Sequence, residues 1–152
     1  MQILPVLAQS SQCNELTRSS AVTLFQSACV IVSFIEADRH MYIKAKDAPV
    51  DDHTVSKLFE LTESRMNEQE PFSTTWDLRM CQVPSMSITW KCIGWALKHK
   101  RHLNEKNKRL VILNERKGLN KVVKLVLSTF GPSCPVWVGS DESEATNFMS
   151  KH

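Results

Sequence analysis

The chain has 152 residues, 42% of them apolar, and a formal net charge of only +3. That suits one compact domain burying roughly two thirds of its unfolded surface, and it excludes wholesale disorder. No apolar run approaches the roughly 20 residues that span a bilayer, so the protein is expected not to be transmembrane. The opening MQILPVLAQSSQC lacks the basic stretch that precedes the apolar core of a secretory signal. A cytoplasmic location is therefore expected. Residues 1–20, with one Arg, one Glu and several Ser, also have a composition that an organelle transit peptide can share.

Residues 1–27 read as an N-terminal extension. Leu16, Val22, Leu24 and Phe25 keep neither helical nor strand period cleanly, and a helix over 14–27 is the closest fit. A domain over 28–152 follows. CVIVSFIE is rich in β-branched and aromatic residues, HMYIKAK alternates, and Ala37-Asp38-Arg39 between them makes the pair a β-hairpin. Asp51 or Asp52 can cap a helix over 51–67, on which Val55, Leu58, Phe59 and Met66 recur at helical spacing. PFSTTWDLR places Phe72, Thr74, Trp76 and Leu78 on one strand face, with Pro71 at its start. Ser87 then caps the expected longest helix, whose stripe is Ile88, Cys92, Trp95, Ala96, His99 and Leu103.

RLVILN is a continuous apolar run, as a strand buried on both faces of a sheet requires. Leu119, Val122, Val123, Val126 and Leu127 stripe the next helix, which Gly131-Pro132 stops. CPVWVG reads as an edge strand, because Pro135 cannot donate to a ladder. Ser140, with Asp141 and Glu142, starts a terminal helix through Phe148. The order β-β-α-β-α-β-α-β-α implies an α/β fold: one mixed, mostly parallel sheet of about five strands, opened by an antiparallel hairpin, with four helices.

This order, carried by DDHTVSKLFELTESRM, TTWDLRMCQVPSMSITWKCIGWALKH and RLVILNERKGLNKVVKLV, resembles the STAS domain, the fold of anti-sigma-factor antagonists, over about residues 28–150. The resemblance implies a protein-interaction module whose contact surface is the loop before the long helix and that helix's start: Pro84, Ser85, Met86, Ser87 and Trp90. The family's phospho-acceptor loop reads Asp-Ser-Ser-Gly, whereas this chain has Ser85-Met86-Ser87-Ile88. The principal acceptor serine is thus replaced by Met86. Ser85 and Ser87 remain candidate phosphorylation sites, because a phosphate at a helix N-terminus meets free amides and a favourable dipole; for Ser87 plain capping is the simpler account. The passage RLVILNERKGLNKVVKLVLSTFGPSCPVWV, with Asn114 after the strand, also resembles CRAL-TRIO lipid-transfer domains. That resemblance implies an apolar-ligand or phosphoinositide binder with Lys117, Lys121 and Lys124 near an anionic headgroup. The chain is short for the complete lipid-enclosing version.

Charge is unevenly spread. From Lys91 to Lys124 there are eleven Lys and Arg against Glu105 and Glu115, a net of +9 that leaves −6 for the rest of the chain. Such a surface can meet an acidic partner, anionic lipid or nucleic acid, but without interleaved exposed aromatics it does not support sequence-specific nucleic-acid readout. Solvated helix faces explain it too. The five cysteines, Cys13, Cys29, Cys81, Cys92 and Cys134, show no C-x-x-C spacing and read as reduced core hydrophobes.

Candidate chemistry is sparse. There is no G-x-S-x-G elbow and no phosphate-binding glycine loop. His53 sits where a cap-region histidine is ordinary, His99 and His102 lack further ligands in a metal motif, and Asp51 with Asp52 is explained by capping. The expectation is a non-enzymatic regulatory module without metal or cofactor, binding a protein partner. An anionic-lipid binder and a structural subunit of a larger assembly are the alternatives.

Overall fold

The computed structural model describes residues 20–151. Six strands lie side by side in chain order: β1 (Ala21–Gln26), β2 (Val30–Ile35), β3 (His40–Ala45), β4 (Phe72–Asp77), β5 (Asn107–Leu113) and β6 (Val136–Gly139). β1, β2 and β3 pair antiparallel, and β3 to β6 pair parallel. The described residues also form five helices: α1 (Asp52–Met66), α2 (Met86–Lys98), α3 (Lys100–Lys106), α4 (Lys117–Phe130) and α5 (Glu142–Lys151). The α/β class and the mixed, mostly parallel sheet are as expected, with one more strand and one more helix.

The additional strand corrects the helix expected over 14–27, whose residues 14–19 lie outside the described chain. Ala21–Gln26 instead pairs with β2, so the sheet begins inside the expected N-terminal extension. Its register shifts between Thr23 and Phe25. That bulge puts Leu24 and Phe25 together against the same core, which erases the alternation a strand would otherwise display.

The additional helix comes from a break. His99, expected mid-stripe, has φ −104° and ψ 9° and divides α2 from α3. The longest described helix is therefore α1, with 15 residues, capped by the Asp51 carboxylate accepting from Thr54 N at 2.6 Å. Ser85, rather than Ser87, caps α2. Its backbone is extended and its hydroxyl accepts from Ile88 N at 3.2 Å, while Thr89 N donates to its carbonyl. At the far end, Asp141 rather than Ser140 accepts from the Ser143 and Glu144 amides.

Strand alternation separates two cores. Val32, Phe34, Met41, Ile43, Phe72, Leu110 and Ile112 face α1 to α4 and meet Met66, Ala96, Leu103, Leu119 and Phe130. Val111 and Leu113 point the other way, toward Ala145 of α5 with Trp137, Phe148 and Met149. β5 is thus buried on both faces, as its unbroken apolar run demands. β6 takes the edge expected of a strand after Pro135. Gly131 ends α4 at φ 58°, the left-handed conformation that glycine adopts without steric cost.

Candidate functional site

The candidate contact surface is built outward from the end of β4. Burial raises the pKa of the Asp77 carboxyl, but hydrogen bonds and charge from Arg79 outweigh it and hold the group below its ordinary value. The pair is bidentate, with Arg79 Nε 2.9 Å from one carboxylate oxygen and Nη2 2.8 Å from the other. Arg79 also reaches Glu142, at the start of α5, over 3.4 Å. Leu78 N donates to Leu113 O at 2.7 Å, Cys81 N turns back to Leu78 O, and Gln82 Nε2 donates to Asp47 at 3.1 Å. Val83 then lies over Gly118, where an added Cβ would come within 3.3 Å of it. The loop is tied to β5, to the segment after β3, and to the start of α4.

From this frame α2 projects. Its inner face buries Thr89, Ile93 and Ala96. Its outer face carries Met86, 62% exposed, Trp90, 58% exposed, and Leu97, 53% exposed, with exposed Gly94 between the last two. These residues fall four, four and three apart, which is one side of a helix. With Val83, 54% exposed, they make α2 apolar on both sides, although a surface helix ordinarily turns a polar face to water. The structure therefore places Pro84, Ser85, Met86, Ser87 and Trp90 together in one loop and helix start, with Ser85 and Ser87 both exposed. Val83, Gly94 and Leu97 extend that surface. Their spacing from Met86 and Trp90 was a legible signal that the inner stripe overshadowed.

Lys117, Lys121 and Lys124 are exposed on α4, which packs beside α2 and has no acidic residue along its length. Asn114, buried between β5 and α4, accepts from Arg116 N at 3.0 Å and donates to Asn120 at 2.6 Å, which fixes where α4 begins. Across the other seam, Lys91 Nζ lies 2.7 Å from both Asp52 Oδ1 and Ser56 Oγ of α1. Further along that seam, Trp95 stacks on Phe59 at 4.6 Å, and His99 lies 3.4 Å from Glu63. His53 is exposed at the start of α1, its ring edge-on to that of Phe25 with centroids 6.5 Å apart.

Beneath these helices, and unannounced by any local pattern, a cavity of about 250 Å³ lies between the sheet and α1, α2 and α4. Met41, Ile43, Phe59, Trp95, Val122 and Leu127 are among its walls, and the threonines that also line it, Thr54, Thr62, Thr74 and Thr89, spend their hydroxyls on hydrogen bonds within the protein. Cys29, Cys81 and Cys92 also line it. Burial pushes the Cys81 thiol up to about 11, with Cys29 adding to the shift and Arg116 opposing it, and burial also raises Cys92 and Cys134. Such thiols hold their protons at neutral pH and behave as packing groups. Cys13 lies outside the described residues. No cluster of three or more His, Cys, Asp or Glu is placed to hold a metal among the described residues, and none of their helices is long and apolar enough to cross a membrane.

No family model and no curated protein matches the chain. Among solved structures, it is similar to an uncharacterized protein of the DUF3478 family from Shewanella loihica that has a SpoIIAA-like fold. The two share 14% identity over 78% of this chain and 90% of the other, with a TM-score of 0.56. At that identity the likeness establishes the fold. The chain therefore has the SpoIIAA-like, STAS-like architecture that its segment order suggested.

Proposed function

We propose that this protein is a non-enzymatic regulatory binding module of the cytoplasm, which docks a protein partner on Pro84, Ser85, Met86, Ser87 and Trp90. The observation that carries this reading is the exposed apolar outer face of α2, set on a loop held by the Asp77–Arg79 pair. Exposed aromatics on a rigid frame are the usual anchors of an interface, because their burial is large and their ordering cost small. A phosphate on Ser85 or Ser87 would sit at the α2 N-terminus and place charge within this apolar surface, so modification there would switch docking off. The test is affinity capture from the native lysate with wild type, Met86→Asp and Trp90→Ala, each first checked for an unchanged circular dichroism spectrum. One partner captured by wild type and lost from both variants supports the reading. Capture that both variants retain overturns it.

A second reading, an apolar-ligand binder, is favoured by the cavity. Left empty, an apolar cavity of this size leaves its lining side chains without the packing contacts that an occupant would supply. An acyl chain in the cavity would supply some of these contacts, and Lys117, Lys121 and Lys124 would meet an anionic headgroup. Delipidated protein titrated with decanoic acid should melt higher as the cavity fills, and its binding to anionic vesicles should weaken with salt. An unchanged melting temperature removes this reading.

A further inference from the structure

The outer face of α2 has a gap that the fold itself does not explain. Gly94 lies in the interior of a helix, where glycine is the least favourable residue after proline. Among the described glycines only Gly131 has positive φ, and a Cβ built on Gly94 meets nothing within 4 Å. Neither backbone conformation nor intramolecular packing requires a glycine there. The missing side chain leaves a notch between Trp90 and Leu97, a place where the backbone of a second helix can approach closely.

The charge around the notch is one-sided. Toward α1, Lys91 is matched by Asp52, Lys57 by Glu60, and His99 lies against Glu63. Toward α4, Lys117, Lys121 and Lys124 are exposed, as is Lys98 on α2 itself, and none of these four has a carboxylate partner among the described residues. A second copy of this chain would bring the same lysines face to face and be repelled. A membrane would accept Trp90 and the lysines but has no use for a notch.

We infer that the occupant of this face is an amphipathic helix of another protein, which crosses α2 at Gly94 with a small residue of its own and carries acidic residues along the one edge that faces α4. This rests on the contact-surface reading above and names the chemistry of its partner. Apolar side chains flanking the small residue pack on Met86, Trp90 and Leu97, and the acidic edge answers the lysines of α4.

Three synthetic helical peptides of roughly 18 residues, long enough to form in water with good helix formers, test it by fluorescence anisotropy. All share one apolar stripe. The first has Ala at its centre and Glu along one edge, the second has Lys in place of Glu, and the third has Leu in place of the central Ala. The first should bind wild type about tenfold more tightly than either other; about 0.5 M salt should remove its advantage over the second, which is electrostatic, and leave its advantage over the third, which is steric. Gly94→Leu should lose about tenfold in affinity for the first peptide, and Lys121→Glu with Lys124→Glu should shift preference to the second. Gly94→Ala controls for folding: it should melt higher than wild type and yet bind the first peptide less well.

Absence of binding, or equal binding of all three peptides, overturns the inference. So does retention of the protein by phosphatidylserine-containing vesicles alone, or a Gly94-dependent dimer in sedimentation. If Trp90→Ala abolishes capture from lysate while Gly94→Leu preserves it, the contact surface stands and the helical partner falls.

Discussion

Replacing Ala96 by Leu reports on the space beneath α2 by the sign of its effect. Ala96 is 6% exposed, points inward from α2 and lines the cavity. The substitution adds three carbons, worth about 0.8 kcal/mol each when moved from water into apolar space. Ordering the leucine side chain takes back about 0.5–1 kcal/mol, leaving a net gain of about 1.5 kcal/mol. For a chain of this size that raises the melting temperature by about 3–6 °C. If the helices closed on the sheet at ordinary packing density, the same three carbons would instead force rotamers and backbone aside and cost about 1–3 kcal/mol. The assay is thermal unfolding of delipidated wild type and Ala96→Leu, followed by circular dichroism. A lower melting temperature in the variant refutes the cavity argument and, with it, the reason to expect an acyl occupant. With the cavity part-filled, decanoic acid should also stabilise Ala96→Leu less than wild type.

Three further outcomes are expected. Ser85→Ala should cost about 1 kcal/mol in chemical denaturation because it removes the α2 cap, whereas Ser87→Ala at an exposed first-turn position should stay within about 0.5 kcal/mol; equal costs would contradict the assigned cap. His40 is 3% exposed and its ring lies 2.7 Å from the Thr75 hydroxyl. Burial, aided by the nearby Arg109 charge, pushes its pKa down to about 4. The unfolded chain therefore takes up this proton first as pH falls, so the stability tied to neutral His40 is intact above about pH 6.5 and is lost progressively toward pH 4. The loss is on the order of 3 kcal/mol, and urea midpoints for His40→Gln should decline less steeply than wild type across that window. Gly131→Ala forces a Cβ into left-handed backbone at φ 58° and should cost about 1 kcal/mol or more, visible as a shift in the same midpoints.

The readability of the sequence varied with how strongly tertiary contacts override local pattern. RLVILN, GPSCPVWV and a cap at Asp51 or Asp52 were legible because a two-face-buried strand, a proline-limited edge and a capping carboxylate each leave a local signature; the structure decides for Asp51. β1 was not, since a single bulge at Thr23–Phe25 destroys its period of two. The break at His99 was hidden because the apolar stripe continues across it to Leu103. Ser85 and Ser87 are both good caps, and only the extended backbone at Ser85 decides between them. In the candidate site, Trp90 was identifiable as a residue off the core stripe, whereas Met86 was pointed to only by the family resemblance. Arg79, two residues from the carboxylate it grips, carries no motif, and a cavity is a property of how helices sit on a sheet, which periodicity does not encode.

Arg79 has one further effect. Its guanidinium joins the end of β4, the loop that launches α2, and the start of α5 on the opposite side of the sheet. Under the proposed reading, the surface that receives a partner is already in its bound shape, so little loop entropy is left to lose on association. Encounter would then be limited by orientation and charge steering rather than by rearrangement. The Glu142 arm, 54% exposed, would weaken first with added salt, while the Asp77 arm, 14% exposed, would persist. Salt would therefore slow arrival at this surface well before it loosened the surface itself.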